Sequence, residues 1–423
     1  MKKIKMMMAA ALGVLVSCGS VKSGEEAIAA SRESKVVVAY VTSWSEVMPD
    51  PQYMTHINYA FGHVNESFNG VKIDNEERLR QIVDLRKQKP ELKVLLSIGG
   101  WGSGRFSEMA ANDEYRRAFA ADCDRVVKEF ALDGIDIDWE YPTSSMANIS
   151  SSPDDTENFT LLMQDIRAAI GNEKELTLAT VASARYIDFK AILPSVDFVN
   201  IMAYDMASAP KHHSALYPSG HSGDITSDGA VTAHLKAGVP PSKLVMGMPF
   251  YGRGGDGYPS FQDYNKVGNT DTQYTEKWDE VAQVPYLADK NDTLVFGFEN
   301  PRSLAIKCQY ILDKDLLGGM YWDYSGDNEQ GDLRRTVAEN LLGKPHKAKV
   351  LVLTERGGQH GGFTDAGLRW LAAEGAKGNF SITEINNARN ITEAYLSQFS
   401  LVIQLDFPPY TWPKEAEDAF VKY

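Results

Sequence analysis

Eight short runs of apolar and β-branched residues alternate with longer amphipathic stretches between residues 35 and 343. This alternation is typical of repeated βα units, in which parallel strands form a sheet that helices cover. Eight units over about 310 residues favour a (β/α)8 TIM barrel, a fold of the α/β class. The predicted strands are Val36–Val41, Ile57–Phe61, Val94–Ile98, Gly134–Trp139, Leu176–Val181, Phe198–Tyr204, Leu244–Phe250 and Gly319–Asp323.

The stretches between these strands carry apolar residues at helical spacing. An open, doubly wound sheet would produce the same alternation of strands and helices. However, no predicted strand is followed by a dinucleotide-binding or Walker-type glycine motif, so that fold lacks support. The barrel is therefore the favoured architecture. Its longer predicted helices include Glu76–Lys87, Glu114–Phe130 and Glu157–Ile170.

The predicted strand Gly134–Trp139 carries acidic side chains at alternate positions. Successive side chains of a strand point to opposite faces, so Asp136, Asp138 and Glu140 share one face. Carboxylates packed this closely cannot all ionise freely, and at least one is expected to stay protonated near neutral pH, as a general acid must. Glu140 lies nearest the C-terminal end of the strand, where catalytic groups project in a parallel barrel.

A solvated loop and a calcium site are two other interpretations of this acidic run. Calcium loops interleave their ligands with polar and glycine residues. Here the acids alternate with Ile135, Ile137 and Trp139, which favours a strand over either alternative. We therefore expect a catalytic role for the three acids.

Other predicted strands end in residues that suit a sugar-binding pocket. Gly99 and Gly100 permit close approach of a ligand or of the barrel rim to the backbone, although such pairs also form simple turns. Tyr204 either donates a hydrogen bond to a substrate carbonyl or packs in the core. Aromatic rings beside carboxylates suit sugars, whose faces are apolar and whose edges are polar. Further candidates near strand ends are Phe61, Trp44, Trp101, Met202, Asp205, Tyr251, Arg253 and Trp322.

Residues from about 35 to 343 resemble the catalytic domain of glycoside hydrolase family 18, which contains chitinases and some endo-β-N-acetylglucosaminidases. Four family motifs occur in the family's order. They are the DxxDxDxE strand (Asp133, Asp136, Asp138 and Glu140), the SxGG strand (Ser97–Gly100), the MxYD strand (Met202–Asp205) and the tryptophan of the eighth strand (Trp322).

The resemblance implies substrate-assisted hydrolysis of β-1,4 linkages in chitin or chito-oligosaccharides. Glu140 would protonate the glycosidic oxygen, and the 2-acetamido carbonyl of the sugar would attack the anomeric carbon to form an oxazolinium ion. Asp138 would orient the acetamido nitrogen, and Asp136 would support Asp138. No metal or organic cofactor is implied. The expected substrate-binding residues are Tyr204, Asp205, Met202, Trp322, Tyr251, Arg253, Trp101, Gly99, Gly100 and Phe61.

Several alternatives remain open for the activity. The substrate could be the chitobiose core of N-glycans, which an endo-β-N-acetylglucosaminidase cleaves. A catalytically silent chitin-binding lectin or an adhesin scaffold would also keep the barrel. The stretch between Tyr251 and Gly318 is too short for the large α+β insertion of many bacterial family members, which predicts a shallower groove and favours endo cleavage.

The N-terminus predicts export to the cell envelope. A basic start, Met1–Lys5, precedes the apolar run Met6–Val16, which is too short to span a bilayer permanently. Cys18 follows in a segment that resembles a bacterial lipoprotein cleavage box. We expect residues 1–18 to be a lipoprotein signal peptide, residues 19–34 a tether and the lipid the only membrane contact. An ordinary secretory signal that contains a cysteine is the alternative.

The net charge bears on the binding partner, and the cysteine content bears on disulfide bonds. The formal net charge of −14 disfavours a nucleic-acid partner. Cys123 and Cys308 lie far apart in helical patterns, so no disulfide framework is expected. We expect a monomer that binds a polysaccharide or oligosaccharide containing N-acetylglucosamine.

Residues 346–423 predict a second, partial α/β segment with a flavodoxin-like pattern. Lys349–Thr354 and Leu401–Leu405 read as strands, the latter buried, with a glycine-rich loop over Glu355–Phe363. Thr364–Glu374 is a predicted helix with Thr364 as its N-cap. The sequences of Leu353–His360 and Asp406–Tyr410 resemble the first part of trehalose-utilisation (ThuA-like) domains. We therefore expect a truncated domain of that type with an exposed sheet edge.

Overall fold

The computed structural model describes residues 35–255, 258–267, 274–343, 348–354, 361–376, 380–389, 391–397, 399–405 and 411–423. The predicted signal peptide, the tether and Cys18 lie outside the described residues. The same is true of residues 355–360 in the predicted glycine-rich loop and of residues 406–410.

Eight parallel strands close into a barrel, as predicted. Each strand pairs with its neighbours in the order β1–β2–β4–β5–β6–β7–β8–β14, and β14 pairs with β1 to complete the ring. The observed ends lie within three residues of the predicted ones. The strands are β1 (Val36–Thr42), β2 (His56–Val64), β4 (Lys93–Gly99), β5 (Gly134–Asp138), β6 (Glu175–Val181), β7 (Phe198–Met202), β8 (Leu244–Pro249) and β14 (Gly318–Trp322), with the short β3 (Val71–Ile73) antiparallel to β2.

Helices connect the barrel strands. The predicted helix Glu76–Lys87 divides into an α-helix and a 3-10 turn over Asp84–Lys87, and the other two predicted helices begin one or two residues early. Side-chain caps account for several starts, such as Asn112, which accepts the amide hydrogens of Glu114 and Tyr115. The helices are α1 (Glu76–Val83), α2 (Phe106–Ala111), α3 (Asp113–Glu129), α4 (Asp155–Ile170), α5 (Phe189–Ile192), α6 (Ser227–Lys236), α7 (Pro301–Asp313) and α8 (Asp332–Leu341).

The main hydrophobic core lies between the outer face of the barrel and the helices. Strand β5 shows how the alternation of side chains divides the two faces. Ile135 and Ile137 are fully buried in this core, where the indole of Trp139 stacks on Phe106 with ring centroids 5.3 Å apart. The acidic residues of β5 therefore point the other way, into the barrel.

An antiparallel sheet is inserted between β8 and α7. Its five strands lie in the order β10–β9–β13–β12–β11. Because β9 begins directly after β8, the insertion stands at the C-terminal end of the barrel strands. Its strands are β9 (Tyr251–Gly254), β10 (Gln262–Asp263), β11 (Thr275–Asp279), β12 (Val284–Ala288) and β13 (Leu294–Gly297).

The C-terminal segment contains three parallel strands in the order β16–β15–β17. The predicted strands at β15 and β17 are confirmed. The prediction that Leu401–Leu405 is buried is wrong for most of the strand, because β17 pairs only with β15 in the described sheet. Leu401 is half exposed, and within the strand only Leu405 is buried. The elements are β15 (Ala348–Thr354), α9 (Gly361–Ala376), β16 (Phe380–Ile385), α10 (Glu393–Leu396), β17 (Leu401–Leu405) and α11 (Lys414–Lys422).

The predicted N-cap Thr364 is also wrong. Helix α9 begins at Gly361, so Thr364 lies inside the first turn with its side chain buried. Glycine and threonine are both accepted near a helix start, and the position of the first turn was therefore ambiguous in the sequence.

Cys123 and Cys308 are buried free thiols. Within the described ranges, no helix is long and apolar enough to cross a membrane.

Candidate active site

Asp136 lies inside the barrel and receives four hydrogen bonds. Tyr40 Oη and Ser97 Oγ donate to Oδ2, each at 2.8 Å. Thr177 Oγ1 donates to Oδ1 at 2.6 Å, and Asn200 Nδ2 donates to the same atom at 3.3 Å. Burial raises the pKa of Asp136 even though these hydrogen bonds favour its charged form. The donors come from four different barrel strands and hold the carboxyl group in one orientation.

Asp138 is the next inward-facing acid along β5, and only 3% of the residue is exposed. Its Oδ1 atom has no hydrogen-bond partner among the described residues. Burial raises the pKa of Asp138 well above its usual range, and the nearby charges of Glu140 and Asp136 raise it further. Burial and the neighbouring acids therefore disfavour the charged form of Asp138.

Glu140 follows β5 and lies at the mouth of the barrel, partly exposed to the cavity. Burial raises its pKa to about 7, against the effect of a hydrogen bond from Tyr141, and the negative charge of Asp205 raises it as well. A carboxyl group with this pKa can give and take a proton near neutral pH. This is the property that the sequence predicted for one member of the acidic run.

Asp205 and Arg253 form an ion pair at the wall of the cavity. Nε of Arg253 donates to Oδ1 of Asp205 at 2.7 Å, and Nη2 donates to Oδ2 at 2.6 Å. His213 Nδ1 lies 3.5 Å from Oδ1. Burial would raise the pKa of Asp205, but Arg253 and His213 hold it well below its usual range. Asp205 therefore stays ionised, and its pKa is shifted in the opposite direction from that of Asp138.

Tyr204 lies between the acids and the inserted sheet. Its hydroxyl group donates to Sδ of Met320 at 3.7 Å, and its ring meets the ring of Tyr251 edge to face at 6.1 Å. Burial and the charge of Asp138 raise the pKa of Tyr204 well above its usual range, so the phenol remains a hydrogen-bond donor. Met202 lines the cavity beside it.

Aromatic rings form one side of the cavity floor. The indole of Trp322 stacks on Phe61 with centroids 5.6 Å apart and an angle of 22° between the planes. The ring of Tyr40 also packs against Trp322, with ring centroids 5.6 Å apart. Trp44 extends this surface towards solvent at 6.3 Å from Phe61, and 64% of the residue is exposed. The rings offer an apolar surface to the face of a sugar.

A second aromatic group lies on the opposite wall. Tyr141 and Tyr186 stack with centroids 5.4 Å apart and an angle of 13° between the planes. Trp101 meets Tyr141 edge to face at 6.5 Å and is 62% exposed. The cavity between the aromatic groups and the acids has a volume of about 650 Å³, which is within the range for pockets that bind small ligands.

The structure brings most of the predicted site residues together around this cavity. Gly99 and Gly100 do not line it. A Cβ atom at Gly99 would lie 1.9 Å from the carbonyl oxygen of Asp138, and one at Gly100 would lie 2.7 Å from the ring of Phe61. The glycines thus allow the barrel wall to close around the site. The predicted residues that line the cavity are Trp44, Phe61, Trp101, Asp138, Glu140, Met202, Tyr204, Asp205, Tyr251, Arg253 and Trp322, with Asp136 beneath them.

Sequence reasoning did not identify Tyr40, Tyr141, Arg185, Tyr186 and Phe261, which also line the cavity. Tyr141 directly follows Glu140, and Tyr186 follows the end of β6 by five residues. Because the C-terminal ends of parallel strands meet at one mouth, aromatic residues just after a strand were the available signal. Among the described residues, no group of three His, Cys, Asp or Glu side chains is arranged to hold a metal ion.

Known proteins are similar to this chain in amino-acid sequence. Residues 36–327 match the model of the family described as glycosyl hydrolases family 18. The chain is 29% identical over 413 residues to chitinase A1 of Niallia circulans, covering 72% of this chain and 58% of that protein. It is 31% identical over 350 residues to chitotriosidase-1 of Mus musculus, covering 70% of this chain and 74% of that protein.

Solved structures superpose on the barrel. A family 18 N-acetylglucosaminidase from Paenibacillus barengoltzii aligns with a TM-score of 0.67 and 32% identity, covering 73% of this chain and 100% of that chain. Chitinase ChiA74 from Bacillus thuringiensis aligns with a TM-score of 0.68 and 26% identity, covering 74% of this chain and 70% of that chain.

Proposed function

Because this chain belongs to glycosyl hydrolases family 18, a family of glycoside hydrolases, we propose that it hydrolyses β-1,4 linkages between N-acetylglucosamine units in chitin or chito-oligosaccharides. The names of its relatives support this substrate class. The aromatic surfaces and the acids of the cavity support it independently, because they match the apolar faces and polar edges of a sugar.

The arrangement of the cavity carboxyl groups is the observation that carries the mechanism. Three of them line the cavity. Asp205 is ionised but bound in a bidentate pair by Arg253. Asp138 is buried beside Glu140 and Asp136, which raises its pKa and disfavours its charged form. Glu140, with a pKa of about 7, is suited to proton transfer. None of the three is a free, ionised nucleophile, and the substrate's own 2-acetamido oxygen can take that role.

The first step follows from these states. Protonated Glu140 donates its proton to the glycosidic oxygen as the bond to the anomeric carbon breaks. The acetamido oxygen attacks that carbon from the opposite face, which gives an oxazolinium ion and a free sugar hydroxyl. A carboxyl oxygen of Asp138, which lines the cavity, accepts the acetamido N–H and orients it. The positive charge of the ring favours ionisation of Asp138, whose proton can be shared with Asp136.

In the second step, the ionised Glu140 accepts a proton from a water molecule that attacks the anomeric carbon. The oxazolinium ring opens, the acetamido group is restored, and Glu140 regains the proton it gave. Two inversions at the same carbon retain its configuration. Trp322 and Phe61 would support the sugar ring from below, and Tyr204 would donate to the acetamido carbonyl.

A side-by-side assay tests the substrate. We expect reducing sugar to be released from chito-oligosaccharides, and not from a glycoprotein with chitobiose-linked N-glycans. The reverse result would identify a glycan-releasing enzyme. Binding of chito-oligosaccharides without release from either substrate would identify a lectin.

We also propose endo action, on the basis of the short insertion between β8 and α7. A hexamer of N-acetylglucosamine labelled at its reducing end would then give internal cleavage products from the first turnovers. Release of single sugars or dimers from one end alone would contradict endo action.

We further propose that the protein is attached to the bacterial cell envelope by a lipid on Cys18, on the basis of the residues around it. In the producing cell, Cys18→Ala should move the protein from the membrane fraction to the soluble fraction. An unchanged distribution would contradict the lipid anchor.

For residues 346–423 we propose a relationship to ThuA-like domains. Three parallel strands with the first in the middle support an α/β domain of this kind. We expect a chain that ends at Gly343 to hydrolyse chito-oligosaccharides within about two-fold of the parent, since all cavity-lining residues precede it. A loss of activity in a folded chain of that length would show that the segment contributes to the site.

A further inference from the structure

Lys307 and Glu299 form a fully buried ion pair behind the wall of the cavity. Lys307 lies on α7, Glu299 follows β13, and neither side chain has any exposed surface. Nζ of Lys307 donates to Oε1 of Glu299. Removing two charges from water is unfavourable for each ion, and a well-packed apolar pair often stabilises a fold equally well. Stability alone therefore gives a weak reason for this pair.

Both members of the ion pair form hydrogen bonds with Ser214. Lys307 Nζ donates to the carbonyl oxygen of Ser214 at 2.5 Å, and Ser214 Oγ donates to Oε1 of Glu299 at 2.6 Å. The backbone and the side chain of Ser214 are thus both fixed. Because Ser214 belongs to the long connection between β7 and α6, the pair anchors a segment that has no regular structure of its own.

The anchored segment contacts the cavity wall through His213. This residue is fully buried, and its Nδ1 atom lies 3.5 Å from both the amide nitrogen and Oδ1 of Asp205. The amide of Met206 donates to the carbonyl oxygen of His213 at 3.0 Å. Asp205 has a φ of 53°, in the left-handed region that few residues with a Cβ atom adopt. The contacts from His213 support this backbone conformation.

We propose that Lys307 and Glu299 are positioning residues for sugar binding. They fix Ser214 and His213, and through them the Asp205–Arg253 pair. The inference rests on the proposed function and on the expectation from the sequence that Asp205 and Arg253 bind the sugar. Neither Lys307 nor Glu299 lines the cavity, so their effect is transmitted through the segment between them and Asp205.

The test uses a double variant of the full chain, Lys307→Met with Glu299→Gln. It removes both charges and keeps similar volumes, whereas a single change would leave one buried charge unpaired. We expect KM for a chito-oligosaccharide to rise about ten-fold, with kcat within about three-fold of the parent. We also expect the alkaline limb of the pH profile to move to lower pH, because displaced Asp205 no longer raises the pKa of Glu140.

Lys35→Met is the matched control. The Lys35 side chain is also buried, and Nζ donates to the carbonyl oxygen of Leu316 at 2.7 Å and to Asp315 at 2.9 Å. It lies where β1 and β14 begin, at the end of the barrel opposite the cavity. This variant is expected to lose thermal stability while KM and the pH profile stay unchanged.

Ser214→Ala provides a second variant if the double variant does not fold. It removes only the hydrogen bond to Glu299, and we expect KM to rise about three-fold. An unchanged KM and pH profile in a folded variant would overturn the positioning role. If the parent hydrolyses no chito-oligosaccharide, the proposed function fails instead. In that case the affinity of parent and variants for the oligosaccharide is measured by calorimetry. A ten-fold weaker binding by the double variant would support the positioning role, and unchanged binding would overturn it.

Discussion

The two ends of strand β5 carry the same kind of side chain in opposite electrostatic settings. Asp133 precedes the strand at its N-terminal end. Its carboxylate accepts hydrogen bonds from the guanidinium of Arg86 and, at 2.7 Å, from the amide of Val94, and 30% of the side chain is exposed. A cationic side chain and a backbone amide thus both donate to this carboxylate, which also reaches the surface.

The C-terminal end has no such arrangement. The donors to Asp136 are hydroxyl groups and one amide, and Asp138 is buried beside two other acids. Burial therefore dominates, and the pKa values of Asp136, Asp138 and Glu140 are raised. The comparison indicates that the partners of an acid along this strand decide whether it has a structural role or transfers a proton. Four single variants test this idea.

Glu140→Gln is expected to have the largest effect. The variant keeps the shape of the side chain but cannot transfer a proton, so kcat should fall by about 10³-fold or more. Calorimetry should show that binding of a chito-oligosaccharide stays within about three-fold of the parent. Turnover close to that of the parent would remove Glu140 from the proton-transfer role.

Asp138→Asn should reduce kcat by about 10²-fold, because an amide cannot take up charge when the oxazolinium ion forms. The variant is compared with the parent on N-acetylglucosamine oligomers, and the parent is also measured on fully deacetylated oligomers. Appreciable hydrolysis of the deacetylated oligomers would contradict the participation of the acetamido group.

Asp205→Asn should raise KM about ten-fold, since Arg253 loses its bidentate partner. It should also change the pH dependence in a defined direction. The charge of Asp205 raises the pKa of Glu140, so its removal lowers that pKa. Because Glu140 must be protonated to act as the acid, kcat/KM, which falls above about pH 7 in the parent, should begin to fall at a lower pH in the variant. A shift to higher pH would contradict the assignment.

Asp133→Asn should have the smallest effect on catalysis. The loss of the bond from Arg86 should destabilise the fold by about 1 to 2 kcal/mol, measured as a lower midpoint of urea unfolding. On the same oligosaccharide, kcat and KM should stay within about two-fold of the parent. A catalytic loss as large as that of Asp138→Asn in a folded protein would abolish the distinction between the two ends of β5.

Alternation along strands explains why much of the barrel was predictable. The period of two in β5 separates its acids from Ile135 and Ile137, and that pattern depends only on local backbone geometry. The start of α9 was less predictable, because several residues there suit a first turn and the sequence does not distinguish among them.

Pairing across the barrel was not accessible from the sequence. Tyr141 and Tyr186 are 45 positions apart and stack only because the ends of β5 and β6 meet at the mouth. Asp205 and Arg253 were both candidates, yet their pairing depends on the inserted sheet that carries Arg253. The role of Gly99 became clear only from its contact with the Asp138 carbonyl group.

The amino-acid sequence by itself determined the number and order of the barrel strands, the face on which the acids lie and the identity of Glu140 as the terminal acid. These properties follow from the local geometry of a strand. The tertiary structure alone decided in which direction the pKa of each acid is shifted. A pKa depends on burial and on charges a few ångströms away, and in this barrel those neighbours come from distant parts of the chain.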